Sequence, residues 1–162
     1  MISVHQACDY IITRVCEGDA LPSLNVLKLQ KLLYYSQAWH LAFYGTRLFD
    51  ENFQAWVHGP VSPEIFHRLK TTKMLYSSVG RADRQPDFDP EAIPEETRRH
   101  IDSILEIYAG FTDTQLESLT HFEEPWTSAR AGIPPSQPSA RGISDDVMRD
   151  YYRSRMKAAE AT

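Results

Sequence analysis

The sequence predicts a mainly α-helical, single-domain bundle of six to seven helices around a central apolar helix at residues 24–44, with a short extended or hairpin segment near residues 47–57. Three observations carry this expectation. The stretch LNVLKLQKLLYYSQAWHLAFY, residues 24–44, has no Pro or Gly, and no Asp, Glu, Lys or Arg occurs from Leu32 to Thr46. A helix apolar nearly all round belongs in a core or a membrane. Ser36, Gln37 and His40 interrupt the run of about twenty apolar residues that a bilayer requires, which leaves the core. Pro and Gly divide the rest of the chain into intervals of helical length. Ser3 with Gln6, and Thr112 with Gln115, have the spacing of capping boxes, in which a hydroxyl and a side-chain carbonyl satisfy two amides reciprocally.

In chain order, Val4, Ala7, Cys8, Ile11, Ile12, Val15 and Cys16 make one helical stripe that stops at Gly18. Residues 21–23 form a short link into the central helix, which Gly45 ends. Phe49, Phe53, Trp56 and Val57 hold no helical period, so residues 47–57 are read as extended and closing in a His58-Gly59-Pro60 turn. Ser62 as cap, Pro63 at the first position and Glu64 in the first turn start a helix expected to reach about Lys73, with Ile65, Phe66 and Leu69 inward. Residues 75–93 contain Gly80, Pro86 and Pro90 and read as a mobile, solvated loop. Pro94 opens a helix with Ile101, Ile104, Leu105 and Tyr108 on its inner stripe. The helix after Thr112 is expected to bury Leu116, Leu119 and Phe122 before Pro125-Trp126 breaks it and a short turn follows. Residues 131–143 hold three Pro and two Gly and read as a second mobile loop. Ser144 then caps a last helix, acidic at its start and basic towards its end as the macrodipole favours. Val147, Met148, Tyr151 and Tyr152 form its apolar side.

A length of 162 residues fits one domain, residues 1–162, with its own core. A formal charge of −5 argues against nucleic acid as the main partner. The surplus is local, since residues 83–96 hold six acids against one Arg. The segment MISVHQACDY lacks the basic start and apolar stretch of a secretory signal, and two cysteines are too few for a disulfide scaffold. Together these point to the cytoplasm, with no membrane association.

No phosphate-binding GxxxxGK[ST], dinucleotide GxGxxG, GxSxG, CxxC or HExxH pattern is present, so no catalytic residue and no cofactor is expected. His40, His58, His67 and His121, with Cys8 or Cys16, lack the spacing of zinc ligands. Buried thiols acting as small hydrophobes are the plainer reading of both cysteines, with a small Cys/His enzyme as the alternative. Arg141, Arg149, Arg153, Arg155 and Lys157, interleaved with Tyr151 and Tyr152, raise a DNA-binding operon regulator as another alternative. Asp145, Asp146 and Asp150 offset three of those charges.

The run KLQKLLYYSQAWHLAFYGTRLFDENFQAWVHGPVSPEIFHRLK, residues 28–70, resembles the Panacea antitoxin domain, the SocA-like and phage-associated GepA-like family. LESLTHFEEPWTSAR, residues 116–130, and ISDDVMRDYYR, residues 143–153, match it in the same order. The resemblance implies a non-enzymatic antitoxin that binds a cognate toxin protein. In the SocA-like branch it further implies a proteolytic adaptor that presents the toxin to ClpX of the ClpXP protease, the toxin itself acting on the replication sliding clamp. Neutralisation by direct sequestration is the alternative.

The matched segments around Trp56, His58, His121, Trp126 and Arg130 supply candidate partner-binding residues. Core is the plainer reading of the two tryptophans, though Trp is enriched at interface hot spots. Lys28 and Lys31 complete the set, as marks of a face of the central helix that must meet solvent or an acidic partner. Residues 75–93, residues 131–143 and the C-terminal tail are candidates for a second contact.

Overall fold

The computed structural model describes residues 1–17 and 23–160, with side chains through residue 158. The expected stop at Gly18, the link at residues 21–22 and the tail at 161–162 lie outside the described residues. Seven helices and one small hairpin follow in order: α1 Val4–Glu17, α2 Val26–Tyr44, β1 Gln54–Trp56, β2 Gly59–Val61, α3 Pro63–Leu69, α4 Glu95–Tyr108, α5 Asp113–Phe122, α6 Glu124–Ala129 and α7 Asp145–Glu160.

The local signals act as the sequence predicts. Ser3 and Gln6 close the box at the start of α1, each main-chain N–H donating 3.0 Å to the other's side chain. Thr112 and Gln115 do the same for α5. Ser62 Oγ accepts from Ile65 N, and Pro63 opens α3. Gly45 ends α2 at φ +72°, a conformation only Gly adopts cheaply, and returns its N–H to Leu41 O. The central helix starts at Val26 rather than residue 24, because the Asn25 side chain caps it through Lys28 N.

α2 is the shared wall of the fold, with α1, α4, α5, α7 and β2 all packed on it. Leu27, Leu29, Leu32, Leu33, Tyr35 and Ala38 are fully buried. The Tyr35 ring stacks on Tyr108 of α4 with centroids 4.0 Å apart. The Tyr35 and Tyr152 hydroxyls both donate to Glu123 Oε1, at 2.7 and 2.9 Å. One carboxylate thus ties α2 to α7, and burial raises its pKa above the usual range.

Several expectations are corrected. Lys28 and Lys31 have no exposed surface, so neither marks a solvent-facing side of α2. Their ammonium groups are held instead by main-chain oxygens, Lys28 Nζ on Ala109 O at 2.6 Å and Lys31 Nζ on Pro60 O at 2.9 Å. Ala109 caps the C-terminus of α4, where unpaired carbonyls attract a cation. The second half of α2 is in turn less enclosed than the first. Phe43 and Tyr44 are half exposed, and Trp39 and His40 are partly so.

The hairpin runs past residue 57. Pro60 lies in β2 opposite Ala55, and the turn is Val57-His58, with Gly59 at φ +106°. Helix α3 stops at Leu69 rather than Lys73, and Phe66 stays partly exposed against Trp56. Phe122 is exposed and Leu119 partly so. The inner stripe of α5 is Leu116, Thr120 and then Glu123, spaced i, i+4, i+7, and the last place goes to the carboxylate that two tyrosines require. Pro125-Trp126 does not end in a turn, because Pro125 sits in the first turn of α6, where its missing N–H costs nothing.

The 75–93 segment is irregular and contains two 3₁₀ turns, Arg81–Asp83 and Pro90–Ala92, yet it is not simply solvated. Val79 and Ile93 are buried, and its main chain pairs with the start of α2 through Val26 N to Ser77 O, Leu27 N to Leu75 O and Val79 N to Leu24 O. The 131–143 segment is tied to the hairpin by Ala55 N to Arg141 O and Ile143 N to Phe53 O, both 2.8 Å.

Candidate partner-binding surface

The hairpin is held from beneath by side chains that reach it from helices distant in sequence. Gln30 in α2 accepts from Ser62 N and donates to Ser62 O, fixing the exit of β2. Lys31 holds the carbonyl of Pro60. Trp126 in α6 donates its indole N–H to Trp56 O at 2.8 Å. Arg130 donates to Ala55 O at 2.8 Å and to the carbonyls of Pro134 and Gln137, which attaches the Pro-rich segment to the hairpin. Its guanidinium lies 5.0 Å from the centre of the Trp126 ring, and His121 stacks on the same ring at 4.1 Å.

The structure therefore brings six of the seven candidate residues into one assembly: Lys31, Trp56, His58, His121, Trp126 and Arg130. Lys28 is directed elsewhere, to α4. Within the assembly Lys31, Trp126 and Arg130 are buried and act as supports, while Trp56 and His58 reach the surface. Trp126 is thus core, whereas Trp56 is half-buried and lines a groove.

The electrostatics under the hairpin follow from burial. Enclosure pulls the Lys31 ammonium down to about 7, against the partial support of Glu117. It also lowers the His121 imidazole, again opposed by Glu117 and by a backbone hydrogen bond with Val57. Glu117 carries a second contact at 2.9 Å to His58 Nδ1.

Gly59 is the point where the assembly is tightest. A Cβ placed there lies 2.5 Å from Lys31 Cε and 2.8 Å from Thr120 Oγ1, on a backbone already at φ +106°. Gly59→Ala is expected to destabilise the protein by more than about 1–3 kcal/mol, through backbone strain plus displacement of Lys31. Thermal unfolding of the variant checks this; a melting temperature equal to wild type contradicts the close approach.

Above this framework lies a groove of about 480 Å³. Its walls are Trp56, Val57, His58 and Val61 of the hairpin, Leu75, and Pro138, Ser139 and Ala140 of the Pro-rich segment. Leu75, Pro138 and Ala140 come from the two irregular segments named as candidates for a second contact, and only the fold brings them to the hairpin.

A larger hollow of about 530 Å³ lies at the other end of α2, between His40, Tyr44, Glu96 and His100. His40 and His100 are committed there to the carbonyls of Thr46 and Ser36, at 2.6 and 2.9 Å. Among the described residues no three His, Cys, Asp or Glu side chains gather so as to hold a metal ion. The Cys8 thiol is pushed up to about 12 by burial, the opposite of what activates a nucleophile. No helix among the described residues is long and apolar enough to cross a membrane.

In this mainly helical fold the marked residues converge on a supported hairpin beside an apolar groove. The family model described as Antitoxin SocA-like, Panacea domain, matches residues 29–127, and the chain belongs to that antitoxin family. The match runs from the first turn of α2 into α6 and contains the whole hairpin. The third stretch with family resemblance, residues 143–153, runs into α7 and lies beyond the match. No curated protein and no solved structure matches the chain.

Proposed function

We propose that this protein is the antitoxin of a toxin–antitoxin pair, that it binds its cognate toxin directly, and that it acts in the cytoplasm as an adaptor delivering that toxin to ClpXP. The observation that carries the antitoxin reading is the family match over residues 29–127. The adaptor step follows from the likeness to the SocA branch and needs no chemistry of the protein's own. Holding two partners at once raises the toxin's effective concentration at the protease, to about millimolar for short flexible links. We read residues 1–162 as a single domain, a reading supported by the packing of α7, outside the match, on α2 within it.

The experiment measures toxin turnover by purified ClpXP with and without this protein. Degradation that depends on the protein supports the adaptor. Equal turnover with the toxin still neutralised favours sequestration, the second reading. An operon regulator acting through α7 is less well supported by its cations, since Arg149 is paired with Asp146 and Asp150, and Arg153 donates to Ala42 O.

A further inference from the structure

Resting on the toxin-binding reading, we propose that the groove beside Trp56 is where the toxin docks, and that its occupant is an apolar toxin segment flanked by acidic residues. The apolar half of this statement comes from the walls. Six of the eight lining residues, Trp56, Val57, Val61, Leu75, Pro138 and Ala140, are apolar, and His58 and Ser139 are the polar ones. The apolar surface continues outside the groove. The Phe66 ring meets Trp56 edge-on at 4.9 Å, and Met74 and Tyr76, which flank Leu75 in the chain, are 82% and 58% exposed. Exposed large apolar side chains clustered around a groove mark interaction sites.

The acidic half comes from charge placement. The groove's lining holds no acid, and Glu64, just beyond the hairpin, contacts His5 at 3.1 Å. The elements that flank these walls carry Arg68, Lys70, Lys73, Arg130 and Arg141, although the chain as a whole has a charge of −5. Arg68 and Lys73 are paired with Asp9 and Asp83. Lys70 is exposed at the end of α3 and makes no ion pair among the described residues. Arg141, also exposed, follows Ala140 of the groove wall and makes no ion pair among the described residues, its side chain donating to the Ala131 carbonyl. Glu117, which approaches the hairpin from α5, is engaged by His58.

An apolar floor with Lys70 and Arg141 on the elements beside it suits a partner segment with apolar anchors and flanking carboxylates, and these cations speed encounter with that partner at low salt. It does not suit a nucleic-acid backbone, for which cations must line the floor as well as the rim.

The test uses the full-length protein and the toxin encoded by the adjacent reading frame, with affinity measured at low and at moderate ionic strength. Leu75→Asp puts a carboxylate in the groove and leaves the backbone bond from Leu27 N intact; it is expected to weaken toxin binding at least tenfold. The double variant Lys70→Glu, Arg141→Glu changes only exposed charges, so it tests the rim even if Leu75→Asp lowers stability. It is expected to weaken binding several-fold at low salt, with the loss shrinking as salt rises. Phe122→Asp, on the exposed side of α5, serves as the control and is expected to bind as wild type does. Wild-type affinity in both the groove and the rim variants overturns the docking site while leaving the antitoxin reading intact, and so does loss of binding confined to Phe122→Asp. Failure of the wild-type protein to bind the toxin overturns the reading itself and the docking site with it.

Discussion

Replacing Asp9 with Ala lowers stability by about 3–5 kcal/mol, the usual consequence of removing one partner from a buried ion pair. Asp9 has no exposed surface, although it sits on a helix whose buried neighbours are otherwise nearly all apolar. One of its oxygens pairs with the Arg68 guanidinium of α3, and the other accepts from Gln85 N at 3.2 Å. Arg68 also donates to Asp83 O at 3.0 Å. The single carboxylate therefore joins α1, α3 and the 3₁₀ segment after it, three pieces that no strand pairing connects. Without it, Arg68 stays largely enclosed and keeps its charge with no counter-ion. Asp9→Asn retains an acceptor and costs less. Urea denaturation of both variants against wild type checks the ordering. A loss of under about 1 kcal/mol in Asp9→Ala contradicts the assignment of Asp9 as a structural tie.

The second large effect concerns Lys31 and depends on pH. An unfolded lysine titrates near 10.5, whereas burial lowers Lys31 in the folded protein to about 7. Above the higher value neither state holds the proton and Lys31 contributes nothing to the pH dependence. Between the two values the unfolded state binds a proton that the folded state refuses. Stability then falls as pH falls, by about 1.4 kcal/mol per unit. Below about 7 both states are protonated and the loss is complete. From pH 9 to pH 7 Lys31 thus removes about 2–3 kcal/mol.

Lys31→Met abolishes this slope but leaves Pro60 O without its donor, at a cost of about 1–3 kcal/mol. The two losses nearly cancel at pH 9, so the variant is close to wild type there and becomes the more stable of the two towards pH 7. Cys8 and the buried tyrosines, whose pKa values burial raises, act at the alkaline end and are common to both proteins. The difference between the two stability curves isolates Lys31. Parallel curves from pH 7 to 9 contradict a proton-excluding Lys31.

What the sequence made legible was local. Helix starts at Ser3, Ser62 and Thr112, the αL stop at Gly45 and the inner stripe of α4 are each decided within about one turn of chain, so the pattern of neighbours suffices. The errors share one cause. Lys28 and Lys31 look like solvent marks because their charge is visible in sequence while the carbonyls that hold them, at Ala109 and Pro60, are far along the chain. Phe122 looks inward by spacing, but Glu123 takes that place because Tyr35 and Tyr152 converge on it from two other helices. The hairpin was legible as extended chain but not in register, since Gln30, Trp126 and Arg130 set its position. Among the candidate residues, family likeness selected those that converge on the hairpin without separating supports from surface, a distinction that depends on burial.

The packing of α7 on α2 has a consequence for synthesis. The core formed around residues 26–44 is closed by a helix that begins at Asp145, so the wall is made long before its cover. At about 5–20 residues per second, the roughly hundred intervening residues leave that face of α2 open for about 5–20 seconds on each nascent chain. Tyr34 and Tyr35 meet Phe53 and Tyr108 earlier, but their contacts with Tyr152 wait for α7. The core around α2 is therefore complete only once residues 145–160 have been made.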